Sequence, residues 1–547
     1  MLKTAQSSLW LTKLFPALAL ALFYAFCALA LRPFENLPFI DDWTYAWSVE
    51  QWLRTGELRF SDWSIHYPIV QVLWGALFCL PFGFSFSALR VSTVVLAWLG
   101  ALAFYAMMRE LGRSGAHSLI ATFLLLVNPV FFILTFSYMT DVPFVSLANI
   151  SLLFFVRSIT RKRKIDSWLG SFFALCAFLT RQLAVAIPIA LVAYFLVSSY
   201  ERRLAHFLPA ALSLLFMLFT PLWISYVFGF TKVYAGKLDS IQFWFDVSPF
   251  AYASAVMGVL AHISLALSPM ALPFFFKNHK PLLWMTVLSL LIVGTTLWVV
   301  TGTVILPLEK GSTWALEELG ATLPLLGGAR PPREGMGMRP FLPLWLNYPL
   351  AVLSLCSAAV IIARAIELAR EKGEKVELLF FIYALFQTAL ILLLWLFYDR
   401  YYVVLLCPLM VLLVDKRLAD MKFAVFGIAM LFLISLSGTS DSLQVSRATN
   451  EAITWLREKG VALADIDASY AFNGWNLYFH PDPLGPGEAP DHDVRHITAD
   501  DVRAVTGDVE KPYEIAVTPL PGYHVLREIR WSPSFWMATD RIYILKK

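Results

Sequence analysis

The chain has 547 residues, of which 59% are hydrophobic and only 15% charged, with a mean hydropathy of +0.66. That is more apolar surface than one water-soluble core can bury, so an ordinary soluble protein is excluded and a bilayer is the natural solvent. The net charge of +4 is small for this length and does not suggest a nucleic-acid partner.

Apolar runs of about 18 or more residues begin at Leu14 to Leu31 and recur at Ala88 to Met108, His117 to Phe136 and Val142 to Val156 with its flanks, continuing to Leu436. The first run, with Lys3 and Lys13 ahead of it and Ala28-Leu29-Ala30 at its end, has features of a signal peptide. It is long for a signal core of about 7–15 residues and is expected to remain as the first span. All five cysteines, Cys27, Cys79, Cys176, Cys356 and Cys407, lie in apolar segments, so neither a disulfide framework nor a thiolate metal site is readable.

Basic clusters at Arg109 to Arg113, Arg161 to Lys164, Arg202-Arg203, Lys277 to Lys280, Arg364 to Lys375 and Lys416 to Lys422 alternate with less basic connections. The positive-inside rule then sets the N-terminus in the cytoplasm of a multi-pass protein of the cell's inner (plasma) membrane. Four connections fall outside: Arg32 to about Tyr67, Ser137 to Asp141, Phe228 to Ser248 and Ile305 to Pro340, with shorter turns near Arg181 and Asp399. The expected count is about thirteen spans, short runs such as Pro68 to Pro81 being interfacial or re-entrant alternatives. An odd count exports the C-terminus.

From Gly438 polar and charged residues become common, and Gly and Pro punctuate Pro481 to Pro490. The expected architecture is an all-α polytopic membrane domain over 1–437, with its first external loop at 32–67, and a small extracytoplasmic α/β domain over 438–547. Within the latter, Ser446 to Lys459 reads as an amphipathic helix stopped by Gly460, and Tyr513 to Val517, Val525 to Trp531 and Arg541 to Leu545 read as strands. No internal repeat, P-loop or Gly-rich fingerprint is present, which argues against a nucleotide-driven pump.

Chemistry-bearing residues gather on the external side. The first loop carries Asp41-Asp42 between Phe39-Ile40 and Trp43-Thr44-Tyr45. Two like charges held together and partly desolvated suit a general base or a cation ligand, whereas an Asp capping a helix from Trp43 to Leu53 is the structural alternative. Asp141, followed two positions later by Pro143, reads as a helix N-cap or as a site member at the membrane boundary. Arg400, within Tyr398-Asp399-Arg400-Tyr401-Tyr402, can snorkel, pair with Asp399 or clamp a phosphate. Arg181 interrupts an apolar stretch and requires a turn or a partner, and His66 is either an ordinary loop residue or a phosphate contact.

This layout resembles the GT-C superfamily of polyprenyl-phosphate-dependent glycosyltransferases, in particular the aminoarabinose transferases and protein O-mannosyltransferases. The resemblance rests on Asp41-Asp42-Trp43-Thr44-Tyr45 with Arg54-Thr55-Gly56 after a short helix, on Tyr67-Pro68 through Gly75, on Phe82-Gly83-Phe84-Ser85 and Leu89-Arg90, on Asp141, and on Arg400-Tyr401 with Pro408 downstream. Relatives of the aminoarabinose kind carry Lys before a Pro-Pro where this chain has His66-Tyr67-Pro68-Ile69, and Thr-Lys-Gly where it has Thr180-Arg181-Gln182. The resemblance implies a membrane glycosyltransferase that passes a sugar from a polyprenyl phosphate to an acceptor hydroxyl on a glycolipid, glycan or protein, among membrane lipids. Asp41 would be the general base of an inverting displacement, with Asp42 and Asp141 orienting the acceptor or sugar. Arg400 with Tyr401, and more weakly Arg181 and His66, would bind the donor phosphate. No cofactor is obligatory on this reading; the paired carboxylates allow a divalent metal without a spacing that demands one. A polytopic transporter or lipid flippase is the main alternative, and it would place its ionisable residues near the midplane. A structural subunit whose soluble tail binds a partner is another.

Overall fold

A computed structural model of the chain describes residues 2–64, 66–198, 203–229, 262–277, 347–370, 375–393, 399–414, 421–479, 509–532 and 540–547, with a few isolated positions between them. The expected connection 305–340, nearly all of 228–248 and the segment 481–490 lie outside the described residues.

Helix α1 (Leu2–Leu31) shows what kind of solvent surrounds the fold. Leu20, Tyr24, Cys27 and Leu31 recur every three or four residues and are buried, whereas Leu18, Leu22, Phe26 and Leu29 on other faces are exposed yet equally apolar. A helix apolar on every side belongs in lipid. Five described helical segments are long and apolar enough to cross a bilayer, namely Leu14–Leu31, Phe86–Glu110, Asp141–Arg161, His206–Phe228 and Lys422–Glu458. A sixth crossing is made if α5 (Gly115–Leu126) and α6 (Pro129–Thr135), bent by 72°, count as one. The sequence reads His117 to Phe136 as a single run; Asn128-Pro129 breaks it. Asn128 accepts from the N–H groups of Val130 and Phe131, and Pro129 takes the first helical turn, so a new helix starts there.

The bundle is organised around α7 (Asp141–Arg161), which is buried along most of its length. It crosses α4 (Phe86–Glu110) at Gly100, where a Cβ would lie 2.5 Å from the Ser146 backbone. It meets α8 (Lys164–Phe178) at Gly170, where a Cβ would lie 2.7 Å from the Phe155 ring. Small residues at helix crossings let backbones approach where lipid supplies no hydrophobic drive.

Between the first two long helices, the loop folds into α2 (Asp42–Thr55), closed by Gly56 in the left-handed region at φ 74°. After it comes α3 (Ile69–Cys79), whose 11 residues fall short of the ~20 needed to span. Arg181 sits in extended backbone between α8 and a 3-10 turn at Gln182–Val185, so the turn required by a charge at that point is present. Arg400 lies in a second 3-10 turn, Asp399–Tyr402, ahead of the helix Val403–Leu413.

A single helix, Met421–Glu458, runs without a break through residue 438. Its 38 residues rise about 57 Å, far beyond a hydrocarbon core of about 30 Å, so its last turns leave the membrane. Its first half exposes apolar Phe423, Phe426 and Leu433, and its last turns bury Ala448, Ala452 and Leu456 against Ile466, Ile515, Ile542 and Ile544. The latter come from a four-stranded sheet of order β1-β2-β4-β3, formed by β1 (Ile466–Asp467), β2 (Tyr513–Ala516), β3 (His524–Arg530) and β4 (Arg541–Lys546). β1 and β2 are parallel and the other pairs antiparallel. The three predicted strands are β2, β3 and β4.

Candidate functional site

Asp41 immediately precedes α2, in the N-cap position, yet its side chain makes no capping hydrogen bond. It accepts instead from Arg400 Nη1, with Oδ2 at 3.0 Å. The same departure from capping occurs at Asp141. There Thr140 is the N-cap residue, and the Asp141 carboxylate is paired with Arg181 in a buried contact. Both helix-cap alternatives therefore give way to long-range ion pairs.

The two pairs share one centre. The guanidinium carbons of Arg181 and Arg400 lie 4.7 and 5.8 Å from the centroid of the Tyr401 ring, which places both cations on its π system. Arg181 Nε lies 3.2 Å from His66 Nε2. Tyr45, one turn into α2, is buried and feels the fields of Arg400, Arg181, Asp41 and Asp141 together. Burial, the largest of these influences, pushes its phenol well above its ordinary range, so the proton stays on as a donor. Thus Asp41, Asp141, His66, Arg181, Arg400 and Tyr401, drawn from five separate stretches of sequence, converge. Accessibility separates the carboxylates: the Asp41 side chain is 22% exposed and that of Asp141 only 2%. Asp141 Oδ2 is buried with no hydrogen-bond partner among the described residues.

Asp42 faces elsewhere. Its Oδ1 accepts from Phe39 N at 2.7 Å, its Oδ2 lies 3.4 Å from Tyr138 N and 3.7 Å from Arg90 Nη2, and it is fully buried. Burial pushes its carboxyl up to about 7, against the opposing pull of Arg90 and the two N–H groups. Arg90 also donates to the carbonyls of Pro33 (2.8 Å), Glu35 (2.9 Å) and Leu37. Together Arg90 and Asp42 tie down the loop that presents Asp41. That loop needs holding, because Ile40 sits at φ 57°, a region costly for a β-branched residue.

Arg90 is the residue whose part the sequence reading missed. Its signal was present: a charge within a 25-residue apolar helix needs a reason. Among the described residues no group of three or more His, Cys, Asp or Glu side chains forms a metal-ligand set.

Residues 66–226 match the family model described as dolichyl-phosphate-mannose-protein mannosyltransferase. The match covers less than a third of the 547-residue chain. The matched segment carries His66, Asp141 and Arg181, while Asp41 and Arg400 lie outside it. Among solved structures the chain is similar to ArnT from Cupriavidus metallidurans bound to undecaprenyl phosphate, with 13% identity, a TM-score of 0.41, and coverage of 96% of this chain and 97% of that one. It is also similar to the archaeal oligosaccharyltransferase AglB from Archaeoglobus fulgidus in complex with an inhibitory peptide and a dolichol-phosphate, with 15% identity, a TM-score of 0.43, and coverage of 91% of this chain and 64% of that one. No curated protein sequence matches the chain.

Proposed function

We propose that this protein is a GT-C glycosyltransferase that transfers a sugar from a polyprenyl-phosphate donor to an acceptor hydroxyl at the extracytoplasmic face, with inversion at the anomeric carbon and Asp41 as general base. The observation that carries the reading is the pairing of Asp41 with Arg400 beside Arg181 and the ring of Tyr401. A guanidinium fork matches a phosphate, and two of them concentrate positive charge where a phosphate would leave.

The pairing also supplies an order of events. In the resting state Arg400 holds the Asp41 carboxylate in an ion pair. A donor phosphate that recruits Arg400 frees Asp41, whose partial exposure lets it meet a hydroxyl. The acceptor oxygen then attacks the anomeric carbon as its proton passes to Asp41. The bond from that carbon to the phosphate oxygen breaks, and the negative charge left on the polyprenyl phosphate rests on Arg400 and Arg181. Because a phosphate leaves readily, no general acid is needed. Asp141, more deeply buried on Arg181, orients that cation and the bound sugar or acceptor.

The test is direct: membranes containing the protein are incubated with radiolabelled polyprenyl-phosphate sugars. Label should move to an acceptor in the wild type and not in Asp41→Asn. Absence of transfer from every such donor would overturn the proposal.

A further inference from the structure

Between α1 and α2 the chain forms no regular element from residue 32 to residue 39, yet its backbone is held almost group by group. Arg90 on α4 takes the carbonyls of Pro33, Glu35 and Leu37. At the start of the same helix, Ser87 Oγ donates to the Phe34 carbonyl at 2.8 Å and the Phe86 N–H donates to Asn36 Oδ1 at 2.8 Å. The carbonyls of Leu31 and Arg32 accept from Nη2 of Arg447, each at 2.8 Å, while Arg447 Nε pairs with the Glu35 carboxylate. Six of the seven carbonyls from Leu31 to Leu37 therefore accept from a side chain. A surface connection ordinarily leaves such groups to water. Here two arginines from distant parts of the chain fix them in one shape.

The segment starts and ends on strained backbone. Arg32 (φ 49°) and Ile40 (φ 57°) both lie in the left-handed region, which residues with a side chain keep only where their surroundings over-determine it. Asp42, on Arg90 and the Phe39 N–H, secures the Ile40 end. Arg447 secures the Arg32 end, where the last carbonyls of α1 have no partner within the helix and the helix dipole favours a cation. The location of Arg447 extends the reach of this contact. It stands on the helix Met421–Glu458, one residue ahead of Ala448, where that helix begins to pack on the sheet. One turn further, Glu451 accepts from Arg527 of β3 at 3.2 Å. The side chain that grips the segment thus belongs to the element that carries the four-stranded sheet.

We infer that Arg447 is a positioning residue for sugar transfer: by fixing the Arg32 end of the segment it keeps Asp41, nine residues on, in place against Arg400, and it makes that placement depend on how the sheet is seated. Arg447 acts through the backbone and not on the reacting atoms. A shift of about 1 Å at a reacting group can cost about 10²-fold in rate, so a hold at the far end of the segment bears on the chemistry. The inference rests on the glycosyltransferase reading and on Asp41 as its base.

The test uses the full-length protein in vesicles, with a radiolabelled polyprenyl-phosphate sugar as donor and undecaprenyl phosphate as the binding probe. In Arg447→Ala the single-turnover rate with preloaded donor should fall roughly 10- to 100-fold, while affinity for undecaprenyl phosphate changes by less than about twofold. Arg447→Lys, which restores a cation against Glu35 and the end of α1, should recover part of the rate. Asp41→Asn provides a readout that simple destabilisation does not move. If Arg447 works by placing the Asp41 carboxylate, adding Arg447→Ala to Asp41→Asn should lower the residual rate by less than about twofold. Amide exchange in the 31–41 peptide should quicken in Arg447→Ala. Arg447→Gln makes the same comparisons if the alanine variant fails to insert. A wild-type rate, a loss of affinity as large as the loss of rate, no rescue by lysine, unchanged exchange at 31–41, or a full further loss on top of Asp41→Asn would each overturn the inference while transfer by the wild type stands. If the wild type moves sugar from no polyprenyl phosphate, the glycosyltransferase reading fails and the positioning role falls with it, even where exchange at 31–41 responds to Arg447.

Discussion

Arg400 Nη1 lies 3.0 Å from Asp41 Oδ2 although 359 residues separate them in the chain. The pair closes the loop ahead of α2 against the 3-10 turn Asp399–Tyr402. Replacing Asp41 by Asn keeps the shape and removes the carboxylate proposed as proton acceptor. A general base contributes about 10²–10⁴ in rate, so kcat for sugar transfer should fall by that factor while polyprenyl-phosphate binding persists. Single-turnover transfer with preloaded donor separates the two, and a near-normal rate in the Asn variant would exclude Asp41 as the base.

Arg400→Ala has the opposite signature. It removes charge-assisted hydrogen bonds to the phosphate, worth about 1.5–3 kcal/mol, so donor affinity should drop roughly 10- to 150-fold. Arg400→Lys keeps the charge but not the planar fork and should recover only part of the loss. Titration with a polyprenyl phosphate, read by tryptophan fluorescence, checks both. Undiminished binding in Arg400→Ala would remove the residue from the phosphate site.

Asp42 is predicted to act on stability through pH. Its carboxyl has a folded-state pKa of about 7, above the ordinary value of 3.8, so the folded state holds the proton over that interval more tightly than the unfolded state does. The Asp42 contribution to stability is therefore largest at low pH, declines as pH rises from about 4 to about 7, and is flat above. Asp42→Asn lacks this titration. Its Tm relative to wild type should be lowest at pH 5 and should rise toward pH 8, superposed on a constant loss of about 1 kcal/mol for the oxygen that no longer accepts. Thermal melts in detergent at both pH values decide it, and a pH-independent difference would show that Asp42 does not titrate in this window.

These contacts also show where the sequence was sufficient. Leu20, Tyr24, Cys27 and Leu31 carry their helical period in the chain itself, and the alternating strand at Arg541 to Leu545 does the same, so element type was legible. The residues of the cluster were legible too, because charges beside apolar runs are rare and costly. Their partners were not. Asp41 and Asp141 each have the local spacing of an N-cap, and what diverts them is an arginine that only the folded bundle brings near. The division of labour between Asp41 and Asp42 was equally hidden, since adjacent residues entering a helix point in different directions. Asp42 turns to Arg90 and the Tyr138 backbone, Asp41 to Arg400. The break at Asn128 was written in the chain as an Asn-Pro capping pair inside what hydropathy alone reads as one span.

The segment from Tyr470 to Phe479 packs against Trp43 at the start of α2, and Gly474 is where its effect on this loop can be tested. A Cβ on Gly474 would lie 2.3 Å from the Trp43 ring, and Trp43 is fully buried between the tail and the loop. Around it, Trp47 stacks on Phe479 at 5.0 Å, and Trp63 and Tyr470 meet the Trp43 ring edge-on at 5.7 and 5.6 Å. Gly474→Ala forces either Trp43 or the 473–479 turn to move, and such overpacking costs about 1–3 kcal/mol. Trp43 stands two residues from Asp41, so a shifted indole displaces Asp41 as well as the tail. The expected result is a lower Tm together with a fall in kcat that exceeds any change in donor affinity. If the tail undocks, protease should cut the 473–479 turn faster than in wild type. Were kcat to hold while Tm drops, the tail would stabilise the protein without positioning Asp41, and the aromatic contact would be one of packing alone.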